Sequence, residues 1–213
     1  MGKSVYSIVL DDAVVRAVDH YAGSCGISRS AAINRILAQH VQMDTGEQYI
    51  RQVFEALEQM AQGTALQMLS ASEAQMQLRS PLRYKYNPTV RYQFELSPAD
   101  PQIMGLFRVG LRTQNATLVE YLEQFYRLWC LLEQNYCTNG EQIQAQIENG
   151  RFVRVLRRIQ QPLTTQQQGQ LLAGYAALFD RCLKAFFEDP SQQGAVDVEQ
   201  IYRSGAGAQI KQL

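Results

Sequence analysis

The residues able to do chemistry in this chain of 213 are few, and most of their spacings exclude more than they promise. Glu120 and Glu123 sit near each other on a helical stretch, but a carboxylate pair without a histidine, a metal partner or a glycine-rich loop reads as a solvated face. The four cysteines, Cys25, Cys130, Cys137 and Cys182, show no C-x-x-C spacing, and His20 and His40 are the two histidines. A structural zinc site or a nickel-sensing domain is therefore not expected, and the cysteines read as reduced, mostly buried side chains of a cytosolic protein. No P-loop, dinucleotide fingerprint, nucleophile elbow or pair of metal ligands occurs, so no enzyme activity and no cofactor are expected. Arginines are what remains. Arg79, Arg83, Lys85, Arg91, Arg108 and Arg112 fall in one stretch against Glu95 and Asp100, and Arg151, Arg154, Arg157 and Arg158 form a second group. The first group suits phosphate as well as it suits a solvated surface, whereas the second, along one helix side, reads as an exposed basic face paired with neighbouring carboxylates in preference to a phosphate site.

The elements that would position such groups begin at the N-terminus. Tyr6, Ile8 and Leu10 alternate along a strand over residues 3–10 that stops at Asp11-Asp12. Either aspartate then caps a helix whose apolar stripe is Val14, Val15, Val18, Tyr21 and Ala22, and Gly26 closes it as a left-handed residue. Ser28 is placed to cap a second helix that buries Ala31, Ala32, Ile36 and Ile33. One strand and two short helices cannot close a core, so a homodimer is implied.

These residues, with Gly26-Ile27-Ser28-Arg29-Ser30-Ala31 sixteen residues beyond the strand, resemble the ribbon-helix-helix DNA-binding proteins of the Arc, MetJ and CopG kind over residues 3–41. The resemblance implies a symmetric dimer whose two strands pair and enter the major groove of double-stranded DNA. It assigns Val5, Ser7 and Val9 to the base edges, although the family usually places polar or basic side chains there and only Ser7 can hydrogen-bond a base. It assigns Ser28, Arg29 and Ser30 to a backbone phosphate at a helix start, with Lys3 as a further phosphate contact. The dimer core would be Tyr6, Ile8, Leu10, Val14, Val18, Ile33 and Ile36.

Formal net charge is zero, unusual for a partner of a polyanion, but it is the sum of opposed blocks: residues 44–78 are acidic and residues 79–112 basic. No secretory signal and no apolar run of membrane-spanning length is read, so a cytoplasmic protein without membrane contact is expected. Ile50, Val53, Leu57 and Met60 repeat at alternating spacings of three and four, which predicts a helix over 47–62, packed on its own domain in preference to a coiled-coil seam. Residues 64–78 read as helix-compatible. Val90 to Leu96 alternates as a half-buried strand, and Leu106 to Arg112 can pair back on it across a turn at 97–101, a helical start at Ile103 being the alternative. Helices are then predicted from Thr117, from about Glu141 to Ile159 with four arginines along one side, and from Thr164 or Thr165 to Asp189.

The expected fold class is mainly α with a small β component: a ribbon-helix-helix domain at 1–42, a helical connector at 43–80, a mostly helical C-terminal domain with a possible β-hairpin at 81–190, and a tail at 191–213 loosely ordered apart from a short helix around Val196 to Tyr202. The expected function is a homodimeric, sequence-specific DNA-binding protein acting as a transcriptional regulator. Alternatives are an accessory DNA-binding factor for plasmid or mobile-element transfer or partition, and an antitoxin or protein-interaction module. The C-terminal domain could hold a protein partner, or a small effector near Trp129 and Tyr175.

Overall fold

In a computed structural model of the protein, the described residues are 7–40, 46–72, 74–136, 140, 142–159, 161–190, 192–208 and 210–213, the side chains of 38–40 excepted. The chain divides into two units, Met1–Tyr49 and Ile50–Leu213.

In the first unit, α1 (Asp12–Cys25) and α2 (Arg29–His40) are joined by a turn at Gly26, whose φ of 65° lies in the left-handed region where a side chain would be strained. Asp11 occupies the cap position of α1 without a side-chain hydrogen bond. Val18, Ala22 and Ala32 form a small core, with Tyr21, Ile27 and Ile33 against it. The expected ribbon-helix-helix is not shown among the described residues. Ser7 to Leu10 take no strand conformation, since no neighbouring strand borders them to complete a ladder, and the earlier part of the expected strand, with Lys3, Val5 and Tyr6, lies outside the described residues.

The second unit overturns the mainly helical expectation. Among the described residues its centre is a six-stranded antiparallel sheet: β1 (Gln67–Ala71), β2 (Gln75–Pro81), β3 (Thr89–Leu96), β4 (Ile103–Gly110), β5 (Ala145–Glu148) and β6 (Arg151–Arg157), in the order β1-β2-β3-β4-β6-β5. Helices α3 (Gly46–Ala61), α4 (Ala116–Tyr136), α5 (Thr165–Glu188) and α6 (Gln192–Gly205) supply the apolar partners of the sheet. The 64–78 segment is therefore not helix. Glutamine, methionine and leucine are good helix formers, but Met76, Leu78 and Ser80 alternate inward while Gln75, Gln77 and Arg79 alternate outward, and pairing with β1 and β3 decides the outcome.

The expected helix over 141–159 is likewise a hairpin. Asn149 and Gly150 both have positive φ, 50° and 69°, the backbone of a two-residue turn between antiparallel strands. The strand at 90–96 and its partner are as read, except that β4 begins at Ile103 and ends at Gly110, which excludes the helical start. Asp100 Oδ1 accepts the backbone N–H groups of Gln102 and Ile103, each at 2.8 Å, and so fixes the connecting turn.

The core lies between the sheet and the helices. Phe179 of α5 meets the rings of Tyr92, Phe107, Phe125, Trp129 and Phe152, with centroid distances from 4.7 to 6.1 Å. Burying such a ring contributes about 1.5–3 kcal/mol, and each well-placed aromatic pair about 0.5–1.5 more. Thr164 caps α5 through a reciprocal box with Gln167. Gly169 allows α3 to cross α5 closely, for a Cβ there would lie 2.4 Å from that of Ala56, and Ile50, Val53 and Leu57 are accordingly buried in this unit. In the tail, the short helix expected around Val196 to Tyr202 is the longer α6, with Val198 and Tyr202 buried, and Leu213, in the part expected to be loose, is buried as well.

Polar groups pin the two layers together. Arg154 turns inward from β6 and donates from Nε to Glu133 of α4 at 3.1 Å. The Tyr175 hydroxyl donates to the same carboxylate at 2.9 Å and accepts the Trp129 indole N–H at 3.2 Å. Tyr92 donates to Asp180 at 2.9 Å, while Lys184 donates to Asp180 and to Ser80 at 2.6 and 2.7 Å.

Candidate nucleic-acid interface

Two surfaces carry groups suited to phosphate, one in each unit. In the first, Ser28 caps α2 through its Oγ, which accepts the Ala31 N–H at 3.2 Å. Arg29 and Ser30 follow it and are exposed. The Arg29 guanidinium is held by both oxygens of Asp19, at 2.5 and 2.6 Å. That hydrogen bond holds the Asp19 carboxyl below the usual carboxylate range and raises Arg29. A phosphate arriving here would have to take the guanidinium from a carboxylate already in place.

The expected dimer-core residues divide. Val18 is buried within its own chain and Ile33 packs partly against it. Ile8, Leu10, Val14 and Ile36 remain exposed, as does Leu37; Ile8 is 57% and Leu37 53% accessible. Ser7 is exposed and Val9 wholly so.

The second surface is the sheet face opposite the helices. Cross-strand register aligns Arg79 with Arg91, Arg91 with Gly110, Gln77 with Gln93, Gln93 with Arg108, and Arg108 with Val153. Arg151 comes alongside Gly110, where a Cβ would meet its Cγ at 3.5 Å. A trough of about 680 Å³ results, lined by Arg91, Arg108, Arg112, Arg151, Gln77 and Gln93 among others. Glu95 is bound to Arg108 at 3.3 Å, and Arg79 donates to Gln67 at 3.2 Å. Among the described residues Arg91, Arg112 and Arg151 have no carboxylate partner.

The four arginines expected along one helix side are thereby separated. Strand alternation leaves Arg151 and Arg157 on the open face and sends Arg154 into the core, while Arg158 clamps the backbone oxygens of Ser97, Pro98 and Asp100. Glu123, one of the two helix carboxylates, accepts the Gly150 N–H and pairs with Arg127, so it acts as a tether. Trp129 and Tyr175 are wholly buried and hydrogen-bonded to each other. The sequence reading missed Arg151, Gln77 and Gln93 as members of one surface. The Asn149-Gly150 pair, flanked by alternating residues, was the signal that could have placed Arg151 on a strand.

No helix of the described residues is long and apolar enough to cross a membrane. Among the same residues, no three of histidine, cysteine, aspartate and glutamate gather as metal ligands would. No protein-family model, no curated protein and no solved structure matches the chain.

Proposed function

We propose that this chain is a DNA-binding protein that works as a homodimer, in the role of a transcriptional regulator. The observation that carries the reading is the open apolar surface of the first unit. Its own core consists of Val18, Ala22 and Ala32, while Ile8, Leu10, Val14, Ile36 and Leu37 surround it exposed. A unit of that size buries too little to stand alone, and a second copy supplies the missing cover. The capped start of α2, with Ser28, Arg29 and Ser30 exposed, supports backbone phosphate as the ligand, and two such helix starts in a symmetric dimer favour a two-fold symmetric site.

The test is sedimentation of the full chain together with selection from a pool of random duplexes. A dimer that enriches a palindrome is the expected result. A monomer, or no retention of any duplex at low salt, would overturn the reading. Leu37→Asp, at a position exposed in the single chain, is expected to yield monomers in which the second unit stays folded and the first loses stability.

A further inference from the structure

We infer that the open face of the sheet is a second DNA-binding surface, one that grips the sugar-phosphate backbone of a duplex without reading its sequence. The inference rests on the DNA-binding reading above and adds to it a separate site on the second unit.

The composition of the face is the first ground. A solvated sheet face mixes both signs of charge and carries lysine freely. Here the strands contain no lysine, and their outward positions hold Arg79, Arg91, Arg108, Arg151 and Arg157, with Gln75, Gln77, Gln93 and Gln146, and the apolar Leu106, Val153 and Val155, between them. Arginine presents a planar fork that matches phosphate oxygens in pairs, whereas lysine acts as a point charge. Glutamine amides donate to phosphate and sugar oxygens without adding charge. The two carboxylates of the face are Glu95, already bound by Arg108, and Glu148.

Placement is the second ground. Gly110, aligned with Arg91, has the stem of Arg151 packed alongside it, so Arg91 and Arg151 border the same end of the trough. Arg112 follows β4 at that same end of the sheet, and the connection between β2 and β3 adds Arg83 and Lys85 there, both exposed. Tyr86, next in that connection, is 99% accessible and held at a φ of 65°, which a bulky residue seldom adopts. Strain and full exposure of an aromatic ring coincide at functional surfaces.

Geometry favours a duplex over a single strand. Proteins that hold single strands stack successive bases on aromatic rings, yet the strand rings Tyr92, Phe94, Phe107 and Phe152 all point to the helical layer and are buried, and Tyr86 stands outside the strands in the β2–β3 connection. From β2 to β6 the arginine row crosses three strand spacings, about 14 Å at 4.7–4.9 Å each, close to the ~12 Å mouth of the major groove. The row is therefore wide enough for arginines at its two sides to meet two phosphate rows at once.

The experiment compares the full-length chain with Arg91→Gln/Arg151→Gln, using a short duplex of random sequence, a single strand of equal length, and a series of salt concentrations. Both arginines are exposed, so the variant is expected to melt like the parent. The expected result is an affinity for duplex lowered at least about tenfold. The log–log salt slope becomes shallower by about 2, one phosphate for each arginine. Any site selected by the first unit keeps its sequence, and Arg91→Lys/Arg151→Lys restores the slope but only part of the affinity. Duplex binding by the parent with affinity and slope unchanged in the double glutamine variant would overturn the inference and leave the first-unit reading standing. Preference of the parent for the single strand would overturn it too. If the parent retains no duplex at all, both readings fall together.

Discussion

Replacing Arg154 by methionine removes the guanidinium while keeping most of the apolar stem, and it leaves Glu133 as an ion in the core. The two side chains are 2% and 4% accessible, so water cannot take over the lost contact. Removing one member of a buried pair destabilises by about 3–5 kcal/mol. Tyr175 still donates to the Glu133 carboxylate, which places the expected loss at the lower end, about 3 kcal/mol. With an m-value of about 2–3 kcal/mol per M in urea, the midpoint should fall by about 1–1.5 M.

The same variant has a pH signature. Burial already holds the Glu133 carboxyl above its usual range, with Arg154 pulling it back down. A carboxyl whose folded pKa is raised binds its proton more tightly folded than unfolded. Its ionised form therefore lowers stability as pH rises from the unfolded value, about 4.3, through the folded one. Without Arg154 the folded value climbs further, so the deficit of the variant should shrink as pH is lowered from 7 toward about 5. Adding Glu133→Gln should recover most of the loss at neutral pH, since the amide oxygen can still accept from Tyr175. A midpoint within about 1 kcal/mol of the parent, or a deficit that does not change with pH, would refute the account of Glu133 as a carboxylate kept ionised by Arg154.

Three further outcomes are expected. Asp19→Asn should free Arg29 for phosphate, tightening duplex binding and steepening its salt dependence, as fluorescence anisotropy across a salt series would register; a weaker complex would contradict it. Native alkylation followed by mass spectrometry should modify Cys25 quickly and spare Cys130 and Cys182, whose thiols burial pushes up to about 11 and about 12. Gly169→Val should lower the melting temperature, because the new side chain meets Ala56 and the backbone of Val53 and Leu57 at the α3–α5 crossing, an overpacking worth about 1–3 kcal/mol; an unchanged melting curve would mean that the crossing is looser than described.

What could be read from the residues followed the strength of local signals. A threonine start at Thr164 or Thr165, Gly26 and the alternation from Val90 to Leu96 each carry a mechanism of their own, and the structure has a helix capped by Thr164, a left-handed Gly26 and a strand at those places. The misreadings have two physical sources. Gln75 to Ser80 is built of helix-forming residues in a period-two arrangement, and only its neighbours β1 and β3 turn that arrangement into a strand. Arg151, Arg154 and Arg158 are spaced as one helix side would be, and this outweighed the Asn149-Gly150 turn beside them. The basic surface was legible as a cluster in sequence from Arg79 to Arg112, but its sharing one face depends on register, which no local pattern specifies.

Sheet order also sets a timetable for synthesis. The first four strands form a meander, each pairing with the strand made just before it, whereas β6, the far neighbour of β4, arrives only after α4 and β5. Of the helices that cover the aromatic side of the sheet, α5, whose Tyr175 and Phe179 pack on Phe107, is made only after all six strands. While the ribosome is translating α4, the nascent chain therefore shows a raw β4 edge and an uncovered row of Tyr92, Phe94 and Phe107. Long-range closure must be reached before those groups are protected. Translation halted in that interval would release a chain that sticks to its neighbours through that edge, and it is there that a holding chaperone has most to do.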